Sequence, residues 1–190
     1  MKKKTIDRLL EAAQDILIES GVEALNSNAI VLRAGVTPPT FYHYFSNKHA
    51  LLEELGVRMM QEQSEVIRAE TGLQIKTEAD LQTTCLRSLR QSLKATREFR
   101  GGYVLLVSLR ALPELRPVRL NYHAHISVVL ATYFTEQGLS DDFDGLVIRS
   151  RLALEISYAA IEMLFETDFS NEDVVMEGTA AALTRIYDFF

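Results

Sequence analysis

The sequence predicts an all-α fold of about nine helices, with a small N-terminal three-helix head that carries a helix-turn-helix and a larger helical body. Three observations predict it. Apolar residues recur three and four positions apart along most of the 190 residues, which is the period of one helix face. Capping residues, glycines and prolines stand at the ends of those runs, where helices start and stop. No run alternates apolar and polar residues between hairpin turns, and there is no internal repeat or low-complexity segment.

Ile6, Leu9, Leu10, Ala13, Ile16 and Leu17 trace the apolar face of a first helix over 6–19, with Thr5 as its N-cap and Gly21 where the chain leaves it. A second, short helix over 27–34 follows Asn26 and ends before Gly35. Thr37 caps a third, whose first positions, Pro38 and Pro39, need no N–H partner and already hold a helical φ; it runs to Tyr44. Ser46 caps a long fourth helix over 47–70, closed by Gly72.

Thr77, with Asp80 three residues on, opens a fifth helix over 78–97. Gly101-Gly102 opens a short apolar sixth over 103–112, stopped by Pro113. Pro117 starts a seventh over 117–136, closed by Gly138. The acids Asp141, Asp142 and Asp144 suit the positive end of an eighth over 143–166, and Ser170 with Asp173 caps a ninth over 171–188.

With 47% apolar residues the chain can build a real core, and its single Cys excludes an internal disulfide or a multi-cysteine metal site. The basic start, Met1 to Lys4, is followed by an amphipathic stretch with Asp7, Glu11, Asp15 and Glu19, so no signal-peptide core is present. No stretch approaches the roughly 20 uninterrupted apolar residues of a membrane span. The expectation is a soluble, cytoplasmic protein with no membrane partner. The net charge of −6 hides an asymmetry: residues 1–50 carry six bases against five acids, whereas the remainder carries 14 bases against 21 acids. An anionic partner is therefore expected at the first fifty residues.

The most specific signal lies at 30–45. Two short helices flank Gly35, whose tolerance of positive φ lets the chain turn within three residues, the layout of a helix-turn-helix. Ile30, Ala34, Val36, Phe41 and Tyr44 are expected to form the seam between the two helices, leaving Thr40, Tyr42 and His43 exposed. A second helix of this kind lies in the major groove with its N-terminal residues nearest the bases. Thr37, Thr40 and His43 are the candidates for the groove, and Tyr42 and Lys48 for phosphates; Ser27, Asn28 and Pro39 complete the candidate DNA-binding set. Lys2, Lys3 and Lys4 could form an arm on the DNA backbone or a solvated terminus.

At these residues the sequence resembles the tetracycline-repressor (TetR) family of transcriptional regulators. The matching stretches are Ile-x-x-x-Ala-Gly-Val-Thr at 30–37, Thr40-Phe41-Tyr42-His43-Tyr44-Phe45, and Ser46-Asn47-Lys48 followed by Leu51-Leu52. In that family a Tyr at the place of Tyr42 and a Lys at the place of Lys48 commonly bind phosphates. Two departures stand out: Val31 where the family usually has Ala at the close helix contact, and His49 where an acid often completes the cap of the fourth helix. The resemblance covers about 1–55 and implies a division into a DNA-binding domain at 1–47 and a ligand-binding and dimerisation domain at 48–190.

The eighth helix is apolar over most of its circumference, which calls for burial on two sides. With the ninth, whose small residues allow close approach, it would form a four-helix bundle with a two-fold mate. Ile156, Ala159, Met163, Ala182 and Ile186 are the candidate dimer contacts, and a monomeric core is the competing reading. A homodimer would present two heads to a near-palindromic double-stranded operator.

The resemblance further implies a small, largely apolar effector in the body that releases a repressor from its operator. Tyr103, Tyr122, His125 and Met163 are its candidate contacts among many aromatic residues, with Cys85, His123 and Arg149 as other polar groups. His123 and His125 diverge by about 200° around a helix and cannot share a metal; no cofactor is expected. There is no glycine-rich phosphate loop, His-Glu-x-x-His or nucleophile elbow, so an enzyme is not expected. The competing function is a helical protein-interaction adaptor without sequence-specific DNA binding.

Overall fold

In the computed structural model the structure describes residues 4–70 and 74–190, with the side chains of 66–70 left aside. Among the described residues there are nine α-helices and no strand: α1 (Thr5–Ser20), α2 (Ser27–Ala34), α3 (Pro38–Tyr44), α4 (Lys48–Glu70), α5 (Glu78–Glu98), α6 (Gly102–Ala111), α7 (Arg116–Glu136), α8 (Phe143–Glu166) and α9 (Glu172–Tyr187). Short 3₁₀ turns at Val22–Ala24 and Pro113–Leu115 link α1 to α2 and α6 to α7. Gly72, the expected end of α4, lies outside the described residues, as do Lys2 and Lys3.

Two helix starts, those of α4 and α9, differ from expectation by one residue for the same physical reason. Where two capping residues stand side by side, the one whose oxygen reaches the free N–H groups wins. Asn47, not Ser46, caps α4, with Oδ1 accepting from the N–H groups of His49 and Ala50 at 2.8 and 3.0 Å. Asn171, not Ser170, caps α9 through the N–H of Asp173. Thr5 is the first helical residue of α1 and Lys4 its N-cap, without a side-chain cap bond. At α5 the expected pair closes on itself: Thr77 Oγ1 accepts from the N–H of Asp80, and Asp80 Oδ2 from the N–H of Thr77.

The chain divides into two compact units. The first comprises 1–60 with 97–119, and so holds α1 to α3, the first part of α4, and α6. Its core is built on the fully buried Leu9, Leu25, Ile30, Phe41, Leu51 and Leu109. Gly56 permits close approach here, because a Cβ at that position would lie 2.8 Å from a terminal carbon of Leu109.

The second unit comprises 61–96 with 120–190. α8 and α9 pack along one another in it. Arg149 of α8 donates to the carbonyl of Tyr187 at 2.8 Å, placing a cation on the C-terminal carbonyls of α9, where the helix dipole favours it. Gln137 accepts from the N–H of Ile75 at 2.8 Å, and Arg90 meets Asp173 at 2.8 Å. No described helix is long and apolar enough to cross a membrane.

Candidate DNA-binding surface and body cavity

The turn between α2 and α3 is made as its residues require. Gly35 takes φ 61° and ψ 43°, a left-handed conformation that side chains disfavour, and its N–H and that of Val36 close onto the carbonyls of Leu32 and Val31. Arg8 reaches from α1 and donates through Nη2 to the carbonyls of Ala34 and Gly35, the latter at 3.0 Å. A guanidinium is thereby fixed on the last carbonyls of α2, a contact that no spacing in the sequence announces.

The seam is made by Ile30, Val31, Ala34, Phe41 and Phe45, all buried. Tyr44 departs from expectation and is exposed, while Val36 is half-buried. The reason is the length of α3: the helix stops at Tyr44, and Phe45 takes extended backbone at φ −135°, which turns its ring inward against Phe41. Val31 occupies the helix contact where a smaller residue was the expected pattern, and it is accommodated there at 9% exposure.

The outward face of α3 and its approaches hold the predicted groups together. Thr37 and Thr40 share a 2.9 Å hydrogen bond between their hydroxyls, so the N-cap side chain is tied to the first turn rather than to a backbone N–H. Tyr42 is 57% exposed, and its hydroxyl lies 3.4 Å from Ser27 Oγ on α2. Asn28, Pro39 and His43 are exposed, and Lys48, at the first position of α4, is half-exposed. Arg33 is engaged elsewhere, with Glu19 at 2.6 Å, and it holds that carboxyl below its ordinary value through the hydrogen bond.

The second unit contains a cavity of about 90 Å³. Its seventeen lining residues come from α5, α7, α8 and α9, and among the described residues none of them is Asp, Glu, Lys, Arg or His. Of the four expected ligand contacts it brings in Tyr122 alone. Tyr103 belongs to the first unit, His125 is exposed on α7, and Met163 points outward at 40% exposure, so these three lie outside the lining of this cavity. Residue type alone drew attention to them, but the radial position on each helix decides what faces the interior.

Cys85 lines the cavity, and burial pushes its thiol up to about 12. His123 is fully buried, stacks on Tyr158 at 4.9 Å between centroids, and meets Glu155 at 3.1 Å through Nδ1.

An apolar face of α8 and α9 remains on the surface. Ile148 and Leu152 are 70% and 49% exposed, and Ala159 and Met163 continue their stripe with Ile156 half-buried between them. On α9, Ala182 is exposed and Ile186 half-buried, and nothing lies within 4 Å of the place a Cβ would take at Gly178.

A tight Gly turn, a short second helix with a polar outer face and an all-helical body define a helix-turn-helix, DNA-binding transcriptional regulator. The comparisons with known proteins agree. The family described as bacterial regulatory proteins, tetR family, matches residues 9–55. The HTH-type transcriptional regulator UidR of Escherichia coli (strain K12) is 24% identical over 190 residues, covering 96% of this chain and 92% of that protein. The tetracycline repressor protein class A from transposon 1721 of Escherichia coli is 39% identical over 62 residues, 33% of this chain and 29% of that protein. The crystal structure of a TetR-family transcriptional regulator from Streptomyces coelicolor has the same fold, with a TM-score of 0.70 at 21% identity over 96% of this chain and 97% of that one. The family match lies in residues 9–55, so it is this N-terminal segment of the chain that belongs to the tetR family of bacterial regulatory proteins.

Proposed function

We propose that this regulator is a cytoplasmic homodimeric repressor whose two heads, residues 1–47, read a near-palindromic operator, and whose bodies, residues 48–190, bind a small effector that releases it. The observation that carries the reading is the outer face of α3, where Thr37, Thr40, Tyr42 and His43 stand on a helix locked by a buried seam. Thr37, Thr40 and His43 face base edges, and Tyr42 and Lys48 hold phosphates with Ser27, Asn28 and Pro39 at the margin. Among the described cations of residues 4–48, Arg8 and Arg33 are committed to Gly35 and Glu19, and Lys4 and Lys48 stand for the phosphate role.

The exposed apolar stripes of α8 and α9 support the dimer through Ile156, Ala159, Met163, Ala182 and Ile186, because a soluble monomer rarely leaves such a contiguous patch in water. The uncharged cavity supports an effector site. Release then requires the effector to favour one spacing of the heads over another, since a ligand shifts an equilibrium only by its differential affinity.

The test is selection of duplexes from a random pool at about 0.15 M salt, where non-specific affinity is weak. Enrichment of a near-palindrome supports the reading. Folded, dimeric protein that enriches nothing overturns it in favour of a protein-interaction adaptor.

A further inference from the structure

We infer that Arg8 is a positioning residue for sequence reading: from α1 it pins the turn between α2 and α3, and so fixes where the outer face of α3 stands on DNA. The inference rests on the reading of that face as the part that meets base edges. It follows from how few local restraints hold the start of α3 and from what Arg8 grips.

α3 has seven residues, too few to hold a helix by its own hydrogen bonds. Pro38 and Pro39 bring no N–H to its first turn, and the hydroxyl of Thr37, the N-cap, is bonded to the hydroxyl of Thr40 and not to the backbone. The buried rings of Phe41 and Phe45 hold the middle and the end of α3 against the core. Its first turn, with Thr37 and Thr40, depends on the chain that enters it, and that chain begins at Gly35, the residue type with the widest choice of backbone angles.

Arg8 supplies the missing restraint. Its neighbours Leu9 and Leu10 are buried in the core of the head, so its own backbone is fixed. Nη2 donates to the carbonyl of Ala34, the last residue of α2, and to the carbonyl of Gly35 at 3.0 Å. These carbonyls belong to the two planar peptide groups on either side of the Gly35 Cα. A single nitrogen therefore sets the relation between those planes, which is the φ and ψ that glycine itself leaves free. The guanidinium also fills the space that a side chain at 35 would need, because a Cβ there would lie 3.3 Å from Nη2. Gly35 thus serves twice, for its φ of 61° and for the room that Arg8 takes.

The charge suits the place. The last carbonyls of α2 carry the negative end of that helix, separated from α3 only by Gly35, Val36 and Thr37, and a cation on them offsets a field that opposes a polyanion.

A phosphate contact made by the same guanidinium has a different signature. Losing a phosphate contact weakens every duplex and lowers the slope of log affinity against log salt by about 1, whereas losing a positioning contact weakens only the binding that needs base edges in register.

The experiment measures the affinity of full-length wild type, Arg8→Met and Arg8→Lys for the duplex that wild type enriches and for a scrambled duplex of equal length, between about 0.05 and 0.2 M salt. Arg8→Met removes the charge and the donors and keeps much of the stem; Arg8→Lys is the milder change, and it decides the matter if circular dichroism shows Arg8→Met unfolded. The expected loss on the enriched duplex is about tenfold or more for Arg8→Met and about threefold or more for Arg8→Lys, with the scrambled duplex bound within about twofold of wild type and the salt slope unchanged. Equal losses on both duplexes reduce Arg8 to a contributor to stability and overturn the inference. A slope lowered by about 1 makes Arg8 a phosphate contact and also overturns it. Discrimination retained in a folded variant overturns it outright. Wild-type protein that enriches no duplex overturns the reading of the α3 face itself, and the role of Arg8 with it.

Discussion

The head and the body cavity use polar side chains in opposite ways. On α3 the polar groups are close in sequence, with Tyr42 and His43 exposed and Thr40 half-exposed, and the buried seam beneath them, from Ile30 to Phe45, serves to hold them outward. In the cavity the polar groups are interior and drawn from four helices between Leu81 and Tyr187, and Tyr158 donates to Gln63, which in turn donates to Thr96. A surface built to meet a polyanion keeps its donors available, whereas an interior must satisfy them first and shows an occupant what remains.

Substitutions that act on one region alone break that comparison, and the largest effect is expected at Phe41. It is fully buried, and Phe41→Ala should destabilise the first unit by about 3–5 kcal/mol by denaturant unfolding and abolish DNA binding. Retained operator affinity would contradict the seam's role. Next in size, Leu152→Glu puts a charge on the exposed stripe of α8 and should convert dimer to monomer by light scattering, with helicity retained. A dimer mass would move the interface elsewhere.

A smaller and more discriminating effect is expected at Lys48. Lys48→Ala should weaken every duplex alike and lower the slope of log affinity against log salt by about 1. A changed base preference with an unchanged slope would remove Lys48 from the phosphate contacts. The smallest effect concerns pH and Cys85. Its thiol is raised from 9.0 to about 12, so between those values the unfolded chain releases a proton that the folded chain keeps. Stability should therefore be unaffected below about pH 9 and decline as pH rises above it, and native Cys85 should resist a thiol reagent at pH 8 that modifies the unfolded chain readily. Equal rates in both states would contradict its burial.

The same contrast explains what was legible in the sequence. The helix-turn-helix was, because its turn, caps and recognition face lie within sixteen consecutive residues and each obeys a local rule: Gly35 for positive φ, Pro38 and Pro39 at the first turn of α3. Local rules stop at ties and at helix ends. Ser46 and Asn47 are both good caps, and only geometry chooses Asn47; the inward turn of Phe45 follows from where α3 stops. Arg8 on the end of α2 was invisible because the contact joins residues 26 and 27 positions apart. In the body, the helices could be read from periodicity, but the facing of each aromatic could not: Tyr122 lines the cavity, whereas Tyr103 lies in the first unit. The buried chain from Ser92 through Thr96 and Gln63 to Tyr158 is legible only once α4, α5 and α8 are assembled.

The most direct test of the central claim, that the outer face of α3 reads sequence and the body does not, is a second duplex selection with the double variant Thr40→Ala, His43→Ala. The account predicts that the preferred bases within each half-site change while the spacing between half-sites stays the same. An unchanged half-site sequence would contradict it.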